Sequence, residues 1–268
     1  MLASIALALA PMAQAQLLDQ SAGAPSPGQV DVGSAVVTGL VFDNMSNFEG
    51  GNPNAHVAAT SSTPNYFMGE GYTLSPGTID ITGFDLYPVN LSGVNYTGLK
   101  INIFVWGSVN TSGTVNAATP AFGNLLASYT LTSSGAFNTG FYFPFEGSPN
   151  GVNPGITLAT PLAIPSATIG LTFNYQGTTD GVNYVNANNL SSLISYGTPP
   201  TAGALVFSGY YRNANSEVNG NFTSSLRTLG NANESLGVRV YGDVVPEPTS
   251  FALAGLGMAA VMIFRRRK

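Results

Sequence analysis

The chain has 268 residues, with thirteen acidic and eight basic side chains, one histidine and no cysteine. The absence of cysteine excludes thiol nucleophiles, iron–sulfur clusters and cysteine zinc sites. Four of the eight bases fill the last four positions, leaving only Lys100, Arg212, Arg227 and Arg239 against twelve acids in residues 16–244. Such a surface repels phosphate backbones, so nucleic acid is excluded as a partner.

Residues 1–15, MLASIALALAPMAQA, read as a secretory signal peptide. Leu2 to Ala10 form its apolar region, Pro11 breaks it, and Ala13-Gln14-Ala15 is a small-x-small cleavage site that leaves Gln16 as the new N-terminus. Its basic n-region is missing, which points to a start codon further upstream. Residues 16–34 are rich in Pro, Gly and Ser and read as a flexible lead-in.

From Ala35 onward, short apolar runs alternate with turn clusters. In Leu99–Trp106, the side chains of Leu99, Ile101, Ile103 and Val105 fall on one face of a strand. Ile169–Tyr175 and Leu236–Tyr241 repeat that alternation. Further predicted strands are Ala35–Phe42, Thr78–Tyr87, Leu125–Thr132, Phe141–Phe145 and Ala204–Tyr211, while Asn188–Ile194 reads as one short helix. Gly50-Gly51-Asn52-Pro53, Ser148-Pro149-Asn150-Gly151, Asp180-Gly181, Pro199-Pro200 and Asn219-Gly220 supply the turns. Many short strands with this punctuation predict a single all-β domain over residues 35–244, an antiparallel sandwich or jelly roll. The half-polar strands predict one wet face on each sheet. With no cysteine, its stability must come from core burial and hydrogen bonds.

Residues able to do chemistry are sparse. His56 lies in a Gly/Asn-rich loop with no second imidazole to share a metal or a triad. Asp80 and Asp85, five apart in one strand, point to opposite faces unless Gly83 hosts a bulge, so they are a poor hydrolytic pair. Glu70 and Glu146, each followed by glycine, read as acids at turn edges. No D-x-D-x-D-G run is present; Asp43-Asn44 and Asp180-Gly181 are the pairs on which a calcium site assembled in space would draw. No cofactor is expected. Phe104, Trp106 and Tyr210-Tyr211 are the aromatics that could stack on sugar rings, but packing over a sheet is the commoner use of such residues. Asn90-Leu91-Ser92, Asn95-Tyr96-Thr97 and Asn221-Phe222-Thr223 match a glycosylation pattern and read as chance in an Asn/Ser/Thr-rich surface.

The last 24 residues have three parts in fixed order. Pro246-Glu247-Pro248 cannot lie inside a helix. Phe251–Phe264 is a run of 14 residues without charge, roughly 21 Å long as a helix, against a hydrocarbon core of about 30 Å. Arg265-Arg266-Arg267-Lys268 then suits an anionic cytoplasmic membrane surface. A marginal span suits a segment that is recognised and removed.

Residues 245–268 resemble the bacterial PEP-CTERM sorting signal: a Pro-Glu-Pro motif, a short transmembrane stretch and a terminal basic cluster. The resemblance implies processing near the motif by an exosortase, a membrane-embedded thiol transpeptidase. It also implies passage through the Sec translocon, a transient stay in the inner membrane of a Gram-negative-type bacterium, and delivery to the cell surface or exopolysaccharide matrix. Phe42-Asp43-Asn44 and Leu236–Tyr241 also look like the ends of the jelly-roll ectodomains often found before such tails. The expected role is structural or adhesive rather than enzymatic. A carbohydrate-binding module for exopolysaccharide is the alternative, and a glycan hydrolase or lyase a weaker third.

Overall fold

The computed structural model describes residues 16–18, 37–46, 55–57, 67–112, 115, 119–147, 154–187, 190–195, 197–213, 226, 228, 230 and 232–245. Residues 1–15 and 246–268, with the expected signal peptide and nearly all of the sorting tail, lie outside them.

Sixteen strands occupy the described residues, and no helix does. In chain order they are β1 (Gln16–Leu18), β2 (Val37–Asp43), β3 (Ala55–Val57), β4 (Phe67–Thr73), β5 (Thr78–Leu86), β6 (Pro88–Asn90), β7 (Tyr96–Val109) and β8 (Phe122–Phe137). The second half supplies β9 (Phe141–Tyr142), β10 (Ile156–Ala163), β11 (Thr168–Thr178), β12 (Leu190–Ser195), β13 (Ala204–Leu205), β14 (Tyr211–Asn213), β15 (Ser235–Leu236) and β16 (Val238–Val244). Three sheets result. One has the order β1-β10-β5-β16-β2. A second runs β13-β4-β11-β7-β8, with β14 also on β4. A third runs β15-β12-β6-β9, with β3 on β12. Every pairing is antiparallel except β1 with β10. The expected all-β, antiparallel class is therefore observed.

The alternation in β7 has the predicted result. Leu99, Ile101, Ile103 and Val105 are all buried, and they join one apolar cluster that draws on all three sheets. Phe42 from β2, Phe84 from β5, Phe173 from β11, Leu190 and Ile194 from β12, and Val240 from β16 share that cluster.

Several expectations are corrected. Asn188–Ile194 is not a helix: Leu190–Ser195 is β12, paired with β6, β15 and β3. The spacing of Leu190, Leu193 and Ile194 imitates a helical stripe. All of Leu190–Ile194 is buried, however, and a strand covered on both faces carries no period of two. Gln16–Leu18, expected within the flexible lead-in, form β1 beside β10. Ala204–Tyr211 is not one strand, because only Ala204–Leu205 and Tyr211–Asn213 pair with β4. Phe67–Thr73 and Ile156–Ala163 escape the pattern reading for two different reasons. Gly69 and Gly71 imitate a turn in the first. In the second, the register jumps between Thr157 and Leu162, throwing Ala159, Thr160 and Pro161 outward as an exposed bulge.

The expected wet face is only partly wet. On the outer side of β11, Thr172 is fully buried and Asn174 nearly so. A second apolar cluster of Phe67, Trp106, Ala121, Phe122 and Tyr211 lies over this side, with Phe104 and Phe207 packed against it. Gly170 makes room for it, since a Cβ there would come within 2.3 Å of the Phe122 ring.

A polypeptide spanning residues 16–244 is expected to give a strand-dominated circular-dichroism spectrum without reductant or metal; a helical spectrum would refute the fold. Ile103→Ala should lower its unfolding free energy by about 2–5 kcal/mol in denaturant titrations, as deletions in closed cores do.

Candidate functional site

The densest polar constellation is a row across the first sheet. The register sets Arg239 of β16 opposite Asp43 of β2 on one side and Asp85 of β5 on the other. All three are buried, with exposures of 5%, 1% and 1%. Arg239 Nε lies 3.2 Å from Asp43 Oδ1, and a terminal nitrogen lies 3.5 Å from Asp85 Oδ2.

Both carboxylates have further donors. Asp43 Oδ1 accepts from the amides of Met45 at 2.8 Å and Ser46 at 3.0 Å, and Oδ2 accepts from Thr201 Oγ1 at 2.7 Å and from the Ser46 hydroxyl. Burial raises the Asp43 pKa, but the bonds from Ser46, Thr201 and Met45, with the Arg239 charge, more than offset it and hold the carboxyl below its usual range. Asp85 Oδ1 accepts from the amides of Gly155 at 2.7 Å and Gly147 at 3.2 Å, and Oδ2 from the Tyr241 hydroxyl at 2.8 Å. There burial prevails and the pKa rises. Asn44 completes the group: its side-chain amide donates to Ser235 Oγ and Leu236 O at 2.5 and 2.7 Å, and its oxygen accepts from the Val238 amide at 2.9 Å. The Phe42-Asp43-Asn44 stretch thus ties the start of the domain to its end. It is a clasp, with its oxygens turned to protein donors rather than to a cleft.

Glu70 is a second buried acid, and not the turn-edge residue expected. It lies mid-strand in β4 with no exposure. Its Oε2 accepts from the Leu236 amide at 2.7 Å and the Tyr72 hydroxyl at 3.4 Å, while Oε1 has no hydrogen-bond partner among the described residues. Burial, reinforced by the nearby Glu234 carboxylate, raises the Glu70 pKa well above 4.5, against the opposing pull of the Leu236 and Tyr72 bonds. Glu70 therefore keeps its proton where a solvated glutamate has lost it. Sequence reading had no signal for this, because the flanking glycines imitate a turn.

The outer face of the second sheet carries a chain of amides that sequence reasoning also missed. Thr130 Oγ1 donates to Asn102 Oδ1 at 2.9 Å, Asn102 Nδ2 to Asn174 Oδ1 at 3.0 Å, and Asn174 Nδ2 to Asn186 Oδ1 at 2.7 Å. A signal did exist, because Asn102 and Asn174 occupy the polar phase of the two most regular alternations. Half-buried Lys100, Phe104 and Gln176 lie on the same face.

The remaining candidates separate. Trp106, Tyr210 and Tyr211 are buried, at 4%, 2% and 0% exposure, and Trp106 Nε1 donates to Thr172 Oγ1 at 3.1 Å. They cannot serve as an exposed stacking platform. His56 stands in β3 opposite Ile194. The β5–β16 register skips Thr82, so the bulge lies beside Gly83. Even so, Asp85 is engaged by the clasp and Asp80 by the Asp243 amide at 3.0 Å, so they do not form a hydrolytic pair. Glu146 is half-buried just after the Leu86–Phe145 bridge. Asp180 closes its own turn: bonds from the Asn183 and Val182 amides, the Asn183 side chain and the Thr178 hydroxyl hold its pKa well below the usual range. Asp43 and Asp180 are thus committed separately, and no group of three potential metal ligands occurs among the described residues.

Gln16 opens β1, whereas Ala13, Ala15, Pro246, Glu247, Pro248, Arg265, Arg266, Arg267 and Lys268 lie outside the described residues. Here the sequence itself decides. Residues 244–268 match the PEP-CTERM protein-sorting motif. The chain carries a PEP-CTERM signal. This motif implies export through a membrane-anchored sorting signal and processing by an exosortase. No curated protein and no solved structure matches the chain. The PEP-CTERM match starts at Val244, the last residue of β16.

Two measurements test the buried charges. Arg239→Met strands Asp43 and Asp85 without their cation, and should cost about 3 kcal/mol or more in denaturant titrations. For Glu70 the folded state holds a proton that the unfolded state loses near pH 4.5. Stability therefore falls as pH rises from about 4.5 to the raised folded pKa and is level beyond it. Glu70→Gln should remove that component of the pH slope.

Proposed function

We propose that this protein is a non-enzymatic component of the cell surface or extracellular matrix, delivered there by its PEP-CTERM signal. One observation carries the reading: the sorting motif runs directly out of a β-domain whose buried acids are engaged in holding it together. Asp43, Asp85 and Arg239 satisfy one another, and Glu70 bridges β4 to the Leu236 amide. Catalytic carboxylates would instead face a cleft. The cluster shared by the three sheets supports a sandwich of jelly-roll type, with residues 1–15 as the signal peptide read by the Sec translocon. Residues 251–264 serve as the transient membrane segment of a Gram-negative-type envelope, and residues 265–268 as its cytoplasmic stop. The role is structural or adhesive and needs no cofactor.

Exopolysaccharide binding is the second reading, and it moves from the aromatics to the amide row. Thr130, Asn102 and Asn186, linked through the buried Asn174, present amide and hydroxyl groups on the face that carries Phe104, a combination suited to an uncharged glycan.

Replacing Pro246, Glu247 and Pro248 together with alanine should leave the full chain uncleaved in the membrane fraction and absent from the matrix. Unchanged matrix delivery would remove the sorting argument. In an exopolysaccharide pull-down, the binding reading requires saturable retention that Asn102→Ala with Thr130→Ala weakens.

A further inference from the structure

The sorting signal is joined to the domain without a linker. Val244, where the motif match begins, is still paired with Thr78 of β5 on one side and Val37 of β2 on the other. Val245 continues the attachment, donating its amide to Gly77 O at 2.9 Å. Its carbonyl, which forms the peptide bond to Pro246, lies against Gly77 so closely that a Cβ there would come within 2.3 Å of the oxygen. Gly77 has φ +80°, a conformation that glycine adopts without penalty.

The anchor is itself anchored. Thr78 donates to Ser75 O through its amide at 3.2 Å and its hydroxyl at 2.6 Å. Ser75 donates to Val41 O through its amide at 2.8 Å and its hydroxyl at 3.1 Å, tying the turn to β2. One residue before Val244, the Asp243 amide bonds to Asp80 Oδ1 at 3.0 Å. The backbone just before Pro246 is thus the end of an internal strand, held from both sides.

An enzyme that cuts a chain beside a motif draws the flanking backbone into its cleft in extended form. Backbone hydrogen-bonded to two neighbouring strands is not available for that. We propose that the folded domain holds its own sorting signal closed. Val244 and Val245 must peel away from Gly77, β5 and β2 before the enzyme can engage, and the processing rate follows the population of that frayed state. The inference rests on reading residues 244–268 as an exosortase-processed signal.

Pulse-chase of the full chain in cells that process it provides the test. A short Gly-Ser segment inserted between Val245 and Pro246 leaves every contact of the domain in place, and should speed processing by at least roughly three- to tenfold, the range for the Val245–Gly77 backbone hydrogen bond alone. Gly77→Ala, which pushes against the Val245 carbonyl, should change the rate in the same direction. If the Gly-Ser variant is processed at the wild-type rate while the Pro246/Glu247/Pro248 alanine variant is not processed, the closed-signal proposal is overturned and the sorting reading stands. If the alanine variant is processed normally, both are overturned.

Discussion

Arg239 sits between Asp43 and Asp85 on the middle strand of three, and much of the surrounding architecture depends on that row. Burying a guanidinium and two carboxylates is tolerable only when each finds partners, since an isolated buried charge costs several kcal/mol. Apart from the local Ser46, the partners come from segments far apart in sequence: Thr201 for Asp43, and Gly147, Gly155 and Tyr241 for Asp85. Meeting these demands fixes the end of β2, the Gly147 and Gly155 amides and the Thr201 hydroxyl in one arrangement. Apolar packing supplies the bulk of the burial, but it is non-directional and would tolerate a slipped register. The charged row would not.

Glu70 works on the other side of the core by a different rule. Burial raises its pKa, and its value lies in accepting the Leu236 amide where β15 gives way to β16. The two devices divide the strand junction between them. Asn44 takes the Val238 amide and Glu70 the Leu236 amide, so the chain enters its last strand with both of these donors satisfied.

Where the pattern of two was clean, the fold was legible: β7, β11 and β16 came directly from Leu99–Trp106, Ile169–Tyr175 and Leu236–Tyr241, and the all-β class followed from the turn residues. Legibility failed where burial removed the contrast between faces, as in β12, or where glycine and proline interrupted it, as in β4 and β10. Buried polar residues were the least legible. Nothing local distinguishes Glu70 between two glycines from a surface acid, and Arg239 looks like any outward residue of an alternating strand. Their burial is set by what lies across the sheet, which a single sequence does not print. The aromatics were ambiguous for the same reason, and the layer over β11 settled them. The sorting motif was legible because it is defined by residue order along residues 244–268.

The clasp joins residues 196 positions apart. Folding rates fall as contacting residues become more distant in sequence, because the intervening loop must be closed before its contacts form. The β7–β8 hairpin, by contrast, is assembled from neighbours and can form early. A chain that crosses a membrane N-terminus first exposes β2 and β5 long before their common partner arrives. The strand that completes the first sheet is β16, with only Val245 between it and Pro246. Until then β2 and β5 lack their shared neighbour and present open edges to whatever else is nearby. Synthesis order therefore makes the centre of the sheet the last part to be filled.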